Sequence, residues 1–268
     1  MPASRPASRV RPFGLRRLAL LCAGLALLLL GGCAARTPAD IMTRKPADAV
    51  DARQLVLVIA PDWDADHGEL RLYERASVRD AWAPAGETAP VMLGRHGLGW
   101  GRGLVPPPAD GGPVKAEGDG RAPAGLFRLG PAFAYDPAEL DPAPRLSVRT
   151  ADADLLCVDD VASSHYNQWV NLAETPARDW DSAEQMRRTD VRYRFGLWVD
   201  HNTGPAAPGA GSCIFLHVWL TPETSTSGCT AMDLPVIRGL IQRLDPAARP
   251  VLLQTPRAEL ARYTDIRP

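Results

Sequence analysis

Apolar residues along this chain come in short runs separated by long polar stretches. QLVLVIA (54–60) is a continuous apolar run rich in β-branched residues and predicts a buried strand. ELRLYER (69–75) alternates, with Leu70 and Leu72 on one face. Between them, PDWDADHG (61–68) sets Asp62, Asp64 and Asp66 at alternate positions, like the start of a calcium loop. The glycine such a loop needs is replaced by His67 and its last glutamate by Tyr73, so the segment predicts an acidic hairpin turn. APVMLG (89–94), LLCVDD (155–160), FGLWVD (195–200), GSCIFLHVWL (211–220) and VLLQ (251–254) are further strand candidates. Residues 115–130 are a turn-rich stretch entering another strand.

Along SCIFLHVW both faces are apolar. Cys213, Phe215, His217 and Trp219 point one way, and Ile214, Leu216 and Val218 the other, which predicts a central strand covered on both sides. After Cys229 the period changes. Leu234, Ile237, Leu240, Ile241 and Leu244 fall at helical spacing, with Asp233 as N-cap and Pro235 in the first turn. Residues 135–194 are the least legible, with long polar stretches and one clear strand, and have the character of a lid or an insertion. The expected fold is one β-rich α+β domain over residues 54–268.

The N-terminus has a different character. Arg5, Arg9, Arg11, Arg16 and Arg17 precede the apolar run LALLCAGLALLLL (18–30), which is short for a membrane span and closes on LGGC. Small residues before Cys33 resemble the lipobox of bacterial lipoproteins. That resemblance implies a signal peptide over 1–32, lipidation of Cys33 and a tether over 33–53. It also implies a place on the periplasmic face of a bacterial membrane. Ala34 lacks the aspartate that often retains lipoproteins at the inner membrane, which favours the outer one. Formal net charge is −1. Removal of residues 1–32 leaves 25 basic against 31 acidic side chains, so no nucleic-acid partner is expected.

Of the five cysteines, Cys22 lies in the signal and Cys33 at its end, leaving Cys157, Cys213 and Cys229. An odd count leaves at least one free thiol if pairing stays within the chain. Cys157 and Cys213 lie in apolar runs, where they either pair or are simply buried. Cys229 lies in a polar, glycine-containing loop twelve positions after His217. An imidazole nearby can take its proton, and the positive end of the following helix can favour the thiolate. Gly228 allows backbone geometry that aims N–H groups at an oxyanion. These are parts needed for acyl transfer through a thioester. A metal or cofactor is not expected: there is no CxxC or HxxxH, and His67, His96, His165 and His201 are scattered. RHGLGWGRGL (95–104) is rich in glycine, but VPPPADGGP follows where a phosphate-binding helix would begin.

The sequence from His217 to TSGC (226–229) resembles the catalytic motif of L,D-transpeptidases, which runs from His to [Ser/Thr]-x-Gly-Cys. GRAPAGLF (120–127) resembles that family's Thr-Pro-x-Gly-x-Phe segment. The likeness spans roughly residues 54–255. It implies a β-sandwich or barrel with a helix after the catalytic cysteine, and cysteine-dependent cross-linking of peptidoglycan stem peptides with loss of D-alanine. An L,D-carboxypeptidase or cross-link hydrolase of the same fold is the alternative, and a non-catalytic peptidoglycan-binding lipoprotein is another. By the same resemblance Cys229 is the nucleophile, His217 its base, the Val218 carbonyl the orienter of that ring, and Gly228 part of the oxyanion loop. Ser227, Thr230, Trp219, Arg121 and His201 are candidate substrate-binding neighbours, and Arg121 and Lys115 are candidates for binding stem carboxylates. Ser227 stands where the family often has His or Lys, and Ala231 where it commonly has Arg.

Overall fold

β1 (Gln54–Ala60) shows why this chain closes into a barrel. Its side chains alternate between two cores: Val56, Val58 and Ala60 join the main one, Leu55 and Leu57 a second. The computed structural model describes residues 51–264, 266 and 268. The expected signal peptide, Cys33 and the expected tether up to residue 50 lie outside the described residues. The domain begins slightly earlier than the sequence suggests. Ala52 is fully buried, and Arg53 N–H donates to the Ala248 carbonyl at 2.7 Å.

The remaining strands follow in order. β2 (His67–Glu74) returns beside β1 through the acidic turn, where Asp62 Oδ1 accepts from Asp64 N and Ala65 N, both at 2.9 Å. Then come β3 (Ala83–Pro84), β4 (Ala89–Met92), β5 (Leu98–Trp100) and the long β6 (Ala122–Ala134). β7 (Val148–Thr150), β8 (Leu155–Val158), β9 (Gln168–Asn171) and β10 (Ala183–Gln185) precede β11 (Phe195–Val199) and β12 (Phe215–Val218). β13 (Thr230–Met232), α1 (Leu234–Arg243) and β14 (Val251–Pro256) complete the domain.

Eight strands close on themselves in the order β1-β14-β6-β11-β12-β13-β4-β2, with β2 pairing back to β1. Closure leaves no open edge among them. β12 is central and wholly buried, as its two apolar faces predict. Ile214, Leu216 and Val218 face the main core, while Cys213 and Phe215 enter another core on the opposite side. α1 starts where expected: Asp233 caps it, accepting from Leu234 N at 2.8 Å, and Ile237, Leu240 and Ile241 enter the main core.

The illegible segment is an insertion with its own sheet, β10-β8-β9. A disulfide between Cys157 in β8 and Cys213 just before β12 fastens it to the barrel, which settles the pairing that the sequence left open. Aromatic rings fill the seam. Phe133 meets Phe215 edge-on at 5.3 Å and Tyr193 at 5.5 Å, and Trp169 meets Trp198 at 4.9 Å. Such pairs contribute about 0.5–1.5 kcal/mol each beyond area burial. Gly196 makes the seam possible, since a Cβ there would lie 2.1 Å from the Phe133 ring.

Candidate functional site

Cys229 sits at the mouth of this seam. β12 and β13 run parallel, with His217 opposite Ala231 and Leu216 opposite Thr230. That register sets Cys229 immediately before β13 on a neighbouring strand to His217. The turn in front of it is closed by Thr226, whose hydroxyl donates to the Cys229 carbonyl at 2.6 Å and accepts from Gly228 N at 3.1 Å. Thr226 is itself pinned beyond β4: its N–H donates to the Leu93 carbonyl and its carbonyl accepts from Arg95 N, both at 2.8 Å. Gly228 has a positive φ of 154°, and a Cβ there would meet the Arg121 carbonyl at 3.1 Å.

A pocket of about 690 Å³ opens over the cysteine. His217, Ser227, Gly228, Cys229 and Lys115 line it. Trp219, Thr230, Arg121 and His201 do not. Thr230 is buried and donates to Gln254 Oε1 at 2.7 Å. The Arg121 guanidinium is spent on the acidic turn, donating to the Trp63 and Leu98 carbonyls and to Asp64 at 2.9–3.1 Å. The His201 ring is locked in the interior, its Nε2 on the Ala210 carbonyl at 2.9 Å and its Nδ1 on Arg102 N at 3.3 Å. It helps the site indirectly. Asn167 holds the His201 and Asn202 carbonyls with its amide and accepts from Cys213 N, all at 2.9 Å. Asn167, Asn202 and Cys213 each have φ between 53° and 59°. Three left-handed non-glycine residues, Asn167 before β9 and Asn202 and Cys213 between β11 and β12, mark backbone strain held by this network.

His217 is 4% exposed, and its Nδ1 bonds the Val218 carbonyl at 2.8 Å. That bond places the proton on Nδ1 and leaves the lone pair on Nε2. Cys229 is the free cysteine among the described residues and is 9% exposed. Its sulfur accepts from Phe215 N at 3.3 Å and its thiol donates to the Cys213 carbonyl at 3.6 Å. Among the described residues no hydrogen bond joins the thiol to the His217 ring.

Three expectations need correction. Burial pushes the Cys229 thiol up to about 12, with the Glu184 charge adding to the effect, so the resting group is a neutral thiol rather than a low-pKa thiolate. The helix does not serve it either. Thr230–Met232 continues as β13, α1 starts only at Leu234, and its apolar face enters the opposite core. The Gly228 N–H is committed to Thr226 and is not a free oxyanion donor.

Sequence reasoning missed the far wall. Ala183, Glu184, Gln185, Arg188, Arg192 and Tyr193 line the pocket from the insertion, and Arg95 lines it from beside Ser227, to which it donates at 3.2 Å. Arg192 grips Asp190 through two bonds at 2.6 and 2.9 Å. Tyr193 is buried and donates to Glu184 Oε1 at 2.5 Å. Lys115, 5% exposed, is paired with Asp119 at 2.6 Å. Basic groups thus reach this pocket from residues distant in sequence. Among the described residues no group of three His, Cys, Asp or Glu is arranged to hold a metal.

The two buried histidines predict an acid-sensitive fold. Burial pushes both His217 and His201 down to about 4. The Arg192 and Arg188 charges reinforce this at His217, as Lys115 and Arg102 do at His201, while Asp190 and Asp119 and the bonded carbonyls oppose it. Unfolded chains bind these protons near pH 6.5, so folded stability falls as pH drops from there toward 4. The expected loss is about 3 kcal/mol per histidine across that window. Glu184, raised by burial, has the opposite sign and offsets part of it. Urea unfolding at about pH 7.5, 5.5 and 4.5 checks this; a flat stability over that range would contradict it.

Comparison of the chain with protein-family models, with curated proteins and with solved structures finds no match.

Proposed function

We propose that this protein is a cysteine-dependent acyltransferase acting on peptidoglycan stem peptides, an L,D-transpeptidase of divergent sequence, carried on a lipid anchor at Cys33. The observation that carries the reading is the free Cys229 thiol at the floor of a pocket that also receives His217, whose Nδ1 is fixed on the Val218 carbonyl. The motif His217 to Cys229 and the GRAPAGLF strand entry give the family assignment its support.

In this reading the Cys229 proton passes to His217 Nε2 as substrate brings the two groups together. The thiolate attacks the carbonyl of a diaminopimelate residue, forming a carbon–sulfur bond. The tetrahedral oxyanion takes the Cys229 N–H, the donor left on a loop whose Gly228 N–H is occupied. The carbon–nitrogen bond to D-alanine then breaks, and His217 returns its proton to the leaving amine. A second stem's amine attacks the thioester, restores the thiol and completes the cross-link. If water attacks instead, the same groups make a carboxypeptidase. Arg95, whose guanidinium donates to the Ser227 hydroxyl, gives the pocket a cation suited to the substrate's carboxylates, beside Arg188 and Arg192, which are paired with Asp190.

The test uses the full-length protein in detergent with tetrapeptide muropeptides, read by mass spectrometry. A dimer lacking one D-alanine is the expected product. Monomers lacking D-alanine would reassign it to the hydrolytic relative, and wholly unchanged substrate would favour a binding lipoprotein. His217→Gln keeps the ring's bulk in part and is expected to lower turnover by roughly 10²–10⁴-fold, the usual worth of a general acid–base group. Turnover within about twofold of wild type would remove His217 from the mechanism.

A further inference from the structure

The wall opposite His217 carries a second polar pair that the proposed chemistry has not used. Tyr193 is 3% exposed and stands edge-on to the His217 ring at 5.2 Å and to Phe215 at 5.6 Å. Phe215 N–H in turn donates to the Cys229 sulfur at 3.3 Å. The Tyr193 hydroxyl donates to Glu184 Oε1 at 2.5 Å, and Glu184 Oε1 lies 3.8 Å from Arg188 Nη1. All of these residues except Phe215 line the same pocket.

A phenol has one proton to donate, so Glu184 and a thiolate at Cys229 compete for it. We propose that the Tyr193 hydroxyl is a switchable donor shared between Glu184 and Cys229, so that Glu184 holds the empty site's thiol neutral and Tyr193 stabilises the thiolate once it forms. This rests on the reading of Cys229 as the nucleophile and adds two groups that set its reactivity. When the S–H bond breaks and its proton moves to His217 Nε2, the Tyr193 O–H turns from Glu184 to sulfur. Glu184 keeps its charge and retains Arg188 as a partner. Tyr193 shares a core cluster and the pocket lining with Cys229, and in this proposal its hydroxyl reaches the sulfur, whereas Glu184 is a positioning residue that acts through Tyr193 and through its own field.

The electrostatics agree with this geometry. The Glu184 charge disfavours the Cys229 thiolate, while the Tyr193 side chain favours it. Burial raises Glu184 from its ordinary range, and the nearby Asp159 charge does so too. Tyr193, Arg188 and Arg192 pull it back down. Lys115, across the pocket, favours the thiolate. The resting nucleophile is therefore guarded in an empty pocket and becomes active only with a rearranged wall.

The test needs no substrate, so it stands apart from muropeptide turnover. Full-length protein is alkylated with iodoacetamide between about pH 6 and 10, and modification is read on the Cys229 peptide by mass spectrometry. Melting curves of each variant check the fold. Glu184→Gln removes the charge isosterically and is expected to raise the alkylation rate at about pH 8 roughly tenfold, the effect of about one pKa unit. Tyr193→Phe removes the donor and is expected to lower it at least about threefold. Opposite signs are the signature, because simple loosening of the wall would speed both. A rate raised in both variants, or not raised in Glu184→Gln, overturns the proposal. So does a rate not lowered in a folded Tyr193→Phe. Where Tyr193→Phe does not fold, Glu184→Gln decides together with its melting temperature: a roughly tenfold rise at an unlowered melting temperature is the effect of the removed charge, and a rise that comes with a lowered one is loosening and overturns the proposal.

Discussion

Cys229→Ala is expected to abolish turnover of muropeptides, by at least about 10⁴-fold, because no other group can form the thioester. Among the described residues the other two cysteines are joined in a disulfide, and the remaining lining offers no second thiol. The substitution also has a structural consequence that separates it from Cys229→Ser. The sulfur accepts from the buried Phe215 N–H at 3.3 Å. Alanine leaves that donor without its acceptor, which costs about 1–3 kcal/mol. Serine keeps an acceptor and is expected to retain stability near wild type while losing turnover to a similar degree. Urea unfolding beside a turnover assay separates the two effects. A serine variant as active as wild type would mean that the hydroxyl or another group does the chemistry.

The double variant Cys157→Ala/Cys213→Ala is expected to lose about 4 kcal/mol of stability. The bond spans a sequence separation of 56, and closing a loop of that size removes roughly this much free energy from the unfolded chain. The loss is also expected to reach the site. Cys213 has a left-handed backbone, its N–H is held by Asn167 and its carbonyl accepts from the Cys229 thiol. The same bond fastens β8, and with it the sheet that ends in β10 at Glu184. Freed of it, the wall carrying Glu184 and Tyr193 becomes less fixed relative to β12. Urea denaturation of oxidised wild type, reduced wild type and the double variant checks this. Equal midpoints would show that the aromatic seam alone holds the insertion.

The parts of this architecture that were legible in the sequence are those whose pattern follows from local geometry. QLVLVIA and SCIFLHVW announce buried strands because both of their faces meet a core. The spacing of Leu234, Ile237, Leu240 and Ile241 announces α1 because one face packs and the other does not. His217 and Cys229 were brought together by β12 and β13, whose parallel register the motif spacing allowed but did not specify. β13 itself was missed. Three residues, Thr230–Met232, have too little pattern to read, and they become a strand only through pairing with β12 and β4. That one miss carried the helix dipole to the wrong place.

The insertion was opaque for a related reason. β8 was read as a strand, but β9 and β10 have only four and three residues; Leu155, Cys157 and Trp169 face a seam made with Phe133, Trp198 and Phe215 from other parts of the chain, while Leu156, Val158, Val170 and Ala183 pack together. Arg188, Arg192 and Glu184 lie within the long polar stretches of residues 135–194; only the fold turns them toward the pocket. His201 and Arg121 failed as ligand candidates because their polar groups were already satisfied. One is in the interior and the other is on the acidic turn. A lone polar residue beside a motif carries no sign of which partner claims it.

The most direct measurement is the intact mass of the protein after brief exposure to a tetrapeptide muropeptide, with quenching in acid. The account predicts a covalent adduct equal to the muropeptide less D-alanine, mapped to the Cys229 peptide and absent from Cys229→Ala. An adduct on another residue, or a dimer formed while Cys229 stays unmodified and dispensable, would contradict it.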